Sequence, residues 1–181
     1  KEIIHKLAQY SHSIAQGKVG SGFDVASCCY GCIKYERYSP EFINGKISEV
    51  IDKKWDYVIE PIPVPKNFLI VLAFTGKSAS TTDMVKKVME YAKRNEDEYN
   101  KMIKKMNEKN KKTIKYLIDL NKNYNEITLE KFREAFEEGR KLLKKLGKLS
   151  NADIESDEDS KLIEELKKEG AFLVKLPGAG G

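Results

Sequence analysis

The sequence predicts an α+β protein, on three observations. Short apolar alternations stand near its start, long charged helical patterns fill its middle, and another strand-like run lies close to its end. No segment repeats, which sets solenoids and propellers aside. A length of 181 residues admits one large domain or two small ones. With 40% hydrophobic and 34% charged residues, the composition is that of a soluble globular chain.

Each element has its own signal. Residues 1–15 carry Ile3, Ile4, Leu7, Ala8 and Ile14 at spacings expected to form one face of a helix. A glycine-rich run follows. A short helix is then expected from near Ser21, with Val25, Ala26 and Cys29 on one face and Gly31 as its end. Residues 32–38 alternate Ile33, Tyr35 and Arg37 against Lys34, Glu36 and Tyr38, and residues 46–51 and 55–62 read as two further strands. Pro61, Pro63 and Pro65 suit an extended crossing between subdomains, because proline cannot sit inside a paired central strand. Residues 68–74 form a continuous apolar run, expected to be a buried strand.

Ser80 or Thr81 is placed to cap a helix beginning near Thr82. The helical pattern then runs to about Asn121, with a break expected at 95–97 or 107–110. Thr128 is expected to cap the next helix, whose stripe is Leu129, Phe132, Phe136, Leu143 and Leu146 and whose end is Gly147. A polar loop over 150–158, a helix over 160–169 ending at Gly170, and a strand over 171–176 complete the pattern.

The net charge of +5 is unevenly spread, with lysines crowding residues 86–122 and acidic residues crowding 153–165. The lysines recur with Glu and Asn across a helical pattern. They predict a solvated helical face and no nucleic-acid partner; a lysine-rich binding module is the alternative. No apolar run approaches the about 20 residues needed to span a bilayer, and no leader is visible, so no membrane partner and a cytoplasmic location are expected. The start at Lys1 and the end within Gly178-Ala179-Gly180-Gly181 are expected to be cuts within a longer protein.

Cys28, Cys29 and Cys32 include a formal C-x-x-C, a spacing used in redox motifs and in zinc sites. Only His5 and His12 could add imidazole ligands, and the pair closes a helix instead of opening one after a strand. Small buried residues at a helix end are the expectation.

Three glycine-bearing segments have the chemistry to hold phosphate. Thr75-Gly76-Lys77-Ser78 follows an apolar run and precedes a helix, but Val71 occupies the position where a P-loop requires glycine. Ser78, Ser80 and Thr81 still offer hydroxyls at a helix start, where anions bind. The segment Gly17-Lys18-Val19-Gly20-Ser21-Gly22-Phe23-Asp24 sets three glycines and a lysine directly before a helix. Glycine lets backbone amides approach a ligand closely, and Lys18 adds a full positive charge. Ser21 or Asp24 as a plain helix cap is the alternative there. Lys175-Leu176-Pro177-Gly178-Ala179-Gly180-Gly181 is a third loop of the same kind.

Together these segments resemble the GHMP kinase superfamily, and within it the phosphomevalonate kinases, particularly their fungal-type branch. Residues 17–27 are similar to the G-K-x-G-S-G-F-D-V-A-S segment of that branch. Phe74 to Thr81 resembles its W-T-G-x-x-A-S-[ST] turn, Ala152-Asp153-Ile154-Glu155 its A-D-I-E, and the last residues its P-G-A-G-G-x-D motif. The family's first motif and its G-L-G-S-S-A loop around the ATP triphosphate are absent from these residues. Mevalonate kinase, the nearest rival, uses P-S-G-x-D after His-Gly, which this chain lacks.

The resemblance implies transfer of the ATP γ-phosphoryl group to 5-phosphomevalonate, with Mg2+ accompanying ATP. It implies Lys18 and Asp24 as catalytic residues, and Gly20, Ser21, Gly22, Ser78, Ser80, Thr81, Gly178, Ala179 and Gly180 as substrate-binding residues. In fold it implies the end of the GHMP N-terminal domain over residues 1–62 and a helices-on-antiparallel-sheet C-terminal domain over 63–181.

Overall fold

The computed structural model describes residues 1–73 and 81–177. It is a mixed α+β architecture, a small antiparallel sheet followed by a largely helical region. The chain divides into two compact units, Lys1–Val64 and Pro65–Gly181.

In the first unit, helix α1 spans Glu2–Gln16, helix α2 Phe23–Tyr30, strand β1 Ile33–Glu36, helix α3 Ile47–Asp52 and strand β2 Val58–Pro61. A single 3-10 turn, Pro40–Ile43, lies between β1 and α3. β1 and β2 pair antiparallel with Tyr35 opposite Ile59 and Lys34 opposite Glu60. That second pair carries an ion pair at 2.9 Å across the strands. Residues 46–51, expected as a strand, instead form α3. Ile47, Val50 and Ile51 stand at i, i+3 and i+4, the spacing of a helix face, and the fold buries Val50 completely.

Helix α1 packs with the reverse face to the one its apolar residues predict. His5, Lys6, Gln9 and Ser13 are buried, whereas Ile3, Ile4 and Ile14 are exposed. At about 100° per residue the buried set lies opposite the isoleucines. Each buried polar group has its own reason. Lys6 Nζ donates to the carbonyls of Ile51 (3.0 Å) and Lys53 (2.6 Å), closing the end of α3, and pairs with Glu2 at 2.9 Å. His5 stands edge-on to Tyr30 and Tyr57, at 5.4 and 5.0 Å between ring centres. Below it the core gathers Tyr38, Ile43, Val50 and Trp55, with the Tyr38 and Trp55 rings 4.5 Å apart and Trp55 Nε1 donating to Val50 O at 2.9 Å.

Burial holds the His5 imidazole below its ordinary value of 6.5, with Lys6 adding to the effect and Glu2 opposing it. A folded pKa below the unfolded one means that the unfolded chain takes up the proton first. The contribution to stability is therefore complete above pH 6.5 and is lost as pH falls from there towards the folded value. Urea midpoints followed by Trp55 fluorescence are expected to decline below pH 6.5. A His5→Asn variant would show a flatter profile over that interval.

In the second unit, α4 spans Thr81–Arg94, α5 Glu96–Lys122, α6 Glu126–Ser150 and α7 Asp157–Lys168. The break falls at Asn95, the first of the two expected places, and α5 runs unbroken through 107–110. Residues 123–125 join α5 to α6, and Lys109 pairs with Glu138 midway along both, so the two helices run antiparallel. The α6 cap is Asn125, whose side chain accepts from Thr128 N at 2.9 Å; Thr128 itself lies inside the helix. Ser156 and Asp159 form a reciprocal capping box for α7.

Gly147 does not end α6. The helix continues to Ser150 and closes on Asn151 at φ 54°. The glycine serves close approach, since a Cβ there would stand 2.9 Å from Ala152 O and 3.1 Å from Ile154 Cβ. Ala152 and Ile154 pack with Met84 against Val88 and Leu143. Beside them Glu155 accepts two bonds from Arg140, Nε at 2.9 Å and Nη2 at 2.8 Å, and a third from Ser160 Oγ at 2.7 Å.

Neither strand expected in this unit forms among the described residues. Phe68 is held by Phe132 and Phe172, at 5.7 and 6.4 Å between ring centres, but Leu69 to Leu72 are exposed, up to 89% at Leu69 and Leu72. A run without a hydrogen-bonded neighbour cannot form a ladder, however apolar it is. Residues 171–176 likewise pair with no strand. The cysteines also depart from expectation. Cys28 and Cys32 are exposed; the inward position of α2 is Ala26, and Cys32 lies beyond the end of that helix.

Candidate active site

Residues 17–22 connect two helices, and glycine opens and closes the connection. Gly17 takes φ 63° to terminate α1, its N–H bonding Ile14 O at 3.0 Å while Lys18 N bonds Ser13 O at 3.2 Å. Gly22 takes φ 73° as the N-cap residue of α2. No side chain caps this helix, so Ser21 and Asp24 are not its caps. The first-turn amides of α2, with the partial positive charge of the helix start, face the loop.

The Gly22 carbonyl is held from α1. Gln9 Nε2 donates to it at 2.6 Å and lies 3.0 Å from His5 Nε2, and Tyr38 Oη reaches Gln9 Oε1 at 3.4 Å. With the amide donating to it, the His5 Nε2 is the acceptor nitrogen of a neutral ring. Further along the loop, Arg37 Nη2 donates to Val19 O at 3.4 Å. Asp24, in the first turn of α2, has its Oδ2 3.4 Å from His12 Nε2. Lys18 is exposed on the same loop.

A Cβ at Gly22 would stand 2.8 Å from the buried Gln9 amide, in a backbone conformation that L-residues rarely adopt. Gly22→Ala is expected to cost about 2 kcal/mol in the first unit, from left-handed strain and the displaced amide together. At Gly20 an added Cβ would meet, among the described residues, Gln16 Oε1 at 3.5 Å, so Gly20→Ala would be nearly neutral in stability. Equal thermal shifts for the two variants would contradict this account.

Of the residues singled out in the sequence, Lys18, Gly20, Ser21, Gly22 and Asp24 therefore share one loop and one helix start. Thr81 begins α4 in the second unit. Ser78, Ser80, Gly178, Ala179 and Gly180 lie outside the described residues. Two residues that motif reading passed over, Gln9 and His12, touch this segment directly. The available signal was the polar series His5, Gln9, His12 at helical spacing, set against an isoleucine face.

Compared with characterised proteins, the chain is 30% identical over 198 residues to phosphomevalonate kinase ERG8 of Gibberella zeae, covering 100% of the chain and 43% of that protein. It is 35% identical over 179 residues to the phosphomevalonate kinase of Saccharolobus solfataricus, covering 98% of the chain and 49% of the relative. A peroxisomal phosphomevalonate kinase of Arabidopsis thaliana is 27% identical over 227 residues, covering 99% and 45%. The chain is a distant homologue of phosphomevalonate kinases. It spans just under half the length of these relatives.

A solved structure, the Lin0012 protein from Listeria innocua, superposes with a TM-score of 0.74 at 25% identity, covering 98% of this chain and 49% of that one. No family model matches the chain. Among the described residues, no helix is long and apolar enough to cross a membrane.

Proposed function

We propose that this chain is the acceptor-side part of a GHMP-type kinase that transfers the ATP γ-phosphoryl group to 5-phosphomevalonate, giving 5-diphosphomevalonate. On this reading residues 1–62 complete the N-terminal domain and residues 63–181 supply the C-terminal domain. The observation that carries it is whole-chain similarity to phosphomevalonate kinases of a fungus, an archaeon and a plant. The loop geometry agrees with it in chemistry, since an uncapped helix start behind a lysine is suited to a phosphorylated acceptor.

The nucleophile in such a reaction is a phosphate oxygen, whose second pKa is near 6. At neutral pH it is mostly ionised already, so a strong general base is not needed. The barrier lies in bringing two polyanions together, which positioning and positive charge lower. Lys18 and the α2 amides supply that charge on the acceptor side. Asp24 orients the acceptor or receives a proton when the acceptor is monoanionic. By the same resemblance Ser21, Ser78, Ser80, Thr81 and the glycines from Gly178 are proposed as acceptor-binding residues. Magnesium would accompany the nucleotide. Among the described residues no three carboxylate, imidazole or thiolate side chains converge on a metal position, and no step is assigned to it.

A coupled assay on the full-length protein with ATP and phosphomevalonate, mevalonate or homoserine tests the proposal. Turnover is expected with phosphomevalonate alone. Preference for mevalonate or homoserine would move the protein to another branch, and turnover with none of the three would overturn the reading.

A further inference from the structure

Helix α1 touches the candidate site at two successive turns, once at Gly22 and once at Asp24. Gln9 takes the carbonyl of Gly22, and His12, three positions on, takes the carboxylate of Asp24. Residues three or four apart share a helix face, so both contacts arise from one stripe. The stripe is anchored where it is buried. Gln9 is 1% exposed, and its amide is fixed by His5 and Tyr38 on one side and by Gly22 on the other.

We infer that His12 is a positioning residue that orients the Asp24 carboxylate towards the acceptor. The inference rests on the proposed phosphoryl-transfer role of Asp24. On this inference Nε2 of His12 presents its hydrogen to Oδ2 of Asp24, which lies 3.4 Å away. At 3.4 Å the contact is longer than a tight hydrogen bond and within the range of an ion pair. A plain surface ion pair would be the bland explanation, and such pairs contribute little. Against it stands the shared geometry. The helix that fixes the backbone two residues before Asp24 also supplies the imidazole that meets its side chain. Fixing one carboxylate oxygen leaves the other with a defined direction, which a freely turning Asp24 on an exposed first turn would lack.

Kinetics on the full-length protein provide the test. His12→Ala is expected to lower kcat about tenfold while leaving the KM for ATP unchanged. His12→Gln, whose Nε2–H can stand where the imidazole Nε2–H does, should recover most of that loss. In an Asp24→Asn background the His12→Ala change should do almost nothing more, because a residue acting through another is non-additive with it. Equal losses for His12→Ala and His12→Gln, or fully additive losses with Asp24→Asn, would overturn the inference while leaving the kinase reading intact.

A measurement independent of turnover keeps the two claims apart. In ring 15N spectra of the full-length protein, neutral His12 is expected to carry its hydrogen on Nε2, and the Asp24→Ala variant to lose that preference. An unchanged tautomer in Asp24→Ala would remove the pairing, whatever reaction the protein performs.

Discussion

Replacing Lys18 by methionine is expected to lower kcat of the full-length protein by about 100-fold or more. The reason is electrostatic. An attacking phosphate and an ATP γ-phosphate repel each other, and a preorganised positive charge between them is worth most in the transition state, when they are closest. Methionine keeps the aliphatic stem and removes the charge. It also keeps the bond that shapes the loop, since the group of residue 18 that binds Ser13 O is its backbone N–H. The variant should therefore keep the loop and the fold, with an unchanged circular dichroism spectrum. Lys18→Arg should restore part of the rate, limited by the different shape of the guanidinium. A Lys18→Met protein with near-normal kcat would remove Lys18 from the mechanism.

The second large effect is on stability. Glu155→Ala is expected to destabilise the helical unit by about 3 kcal/mol. Glu155 is 6% exposed and Arg140 10%, and removing the carboxylate leaves a nearly buried guanidinium without its bidentate partner. Glu137 and Glu164, each 3.3 Å from Arg140 Nη1, remain to take up part of the charge, so the lower end of the usual range applies. Burial alone would raise the Glu155 carboxyl. Arg140, Ser160 and Lys144 outweigh it and hold the group below its ordinary value of 4.5. The pairing thus stabilises fully above pH 4.5 and fades as pH falls through the lower folded value. Thermal melts followed by helix circular dichroism, which α4 to α7 dominate, read this directly. A loss under about 1 kcal/mol would mean that the pair is no more than a surface ion pair.

How far the sequence could be read depended on where each element finds its partner. The helices of the second unit were legible, because a stripe such as Leu129, Phe132, Phe136, Leu143 and Leu146 records its own burial. Their ends were less so. Gly147 looked like a stop but serves a close backbone approach, and that purpose depends on Ala152 and Ile154 folding back over it. The strands were least legible. Residues 68–74 have strand composition, yet a ladder needs a neighbour, and composition does not supply one. Helix α1 misled for another reason. Its isoleucines advertise a core face, while the buried face is held by specific bonds from Lys6 and Gln9. At the candidate site, the glycine loop stands out in sequence through residue types that have few other uses together. His12 and Gln9 are ordinary helix residues in sequence, and their roles appear only once α2 is packed beside them.

That inverted helix also limits the evolution of chain length. Its first two turns hold His5 in its aromatic pocket and Lys6 against the carbonyls at the end of α3, and its next two place Gln9 against Gly22 and His12 beside Asp24. Inserting or deleting one residue between Lys6 and Gln9 would turn one half about 100° against the other and shift it about 1.5 Å along the axis. Either the anchor or the site would then lose its register. Insertions are readily absorbed in loops, but α1 works as a ruler, and its spacing from His5 to His12 is a dimension that the site cannot give up.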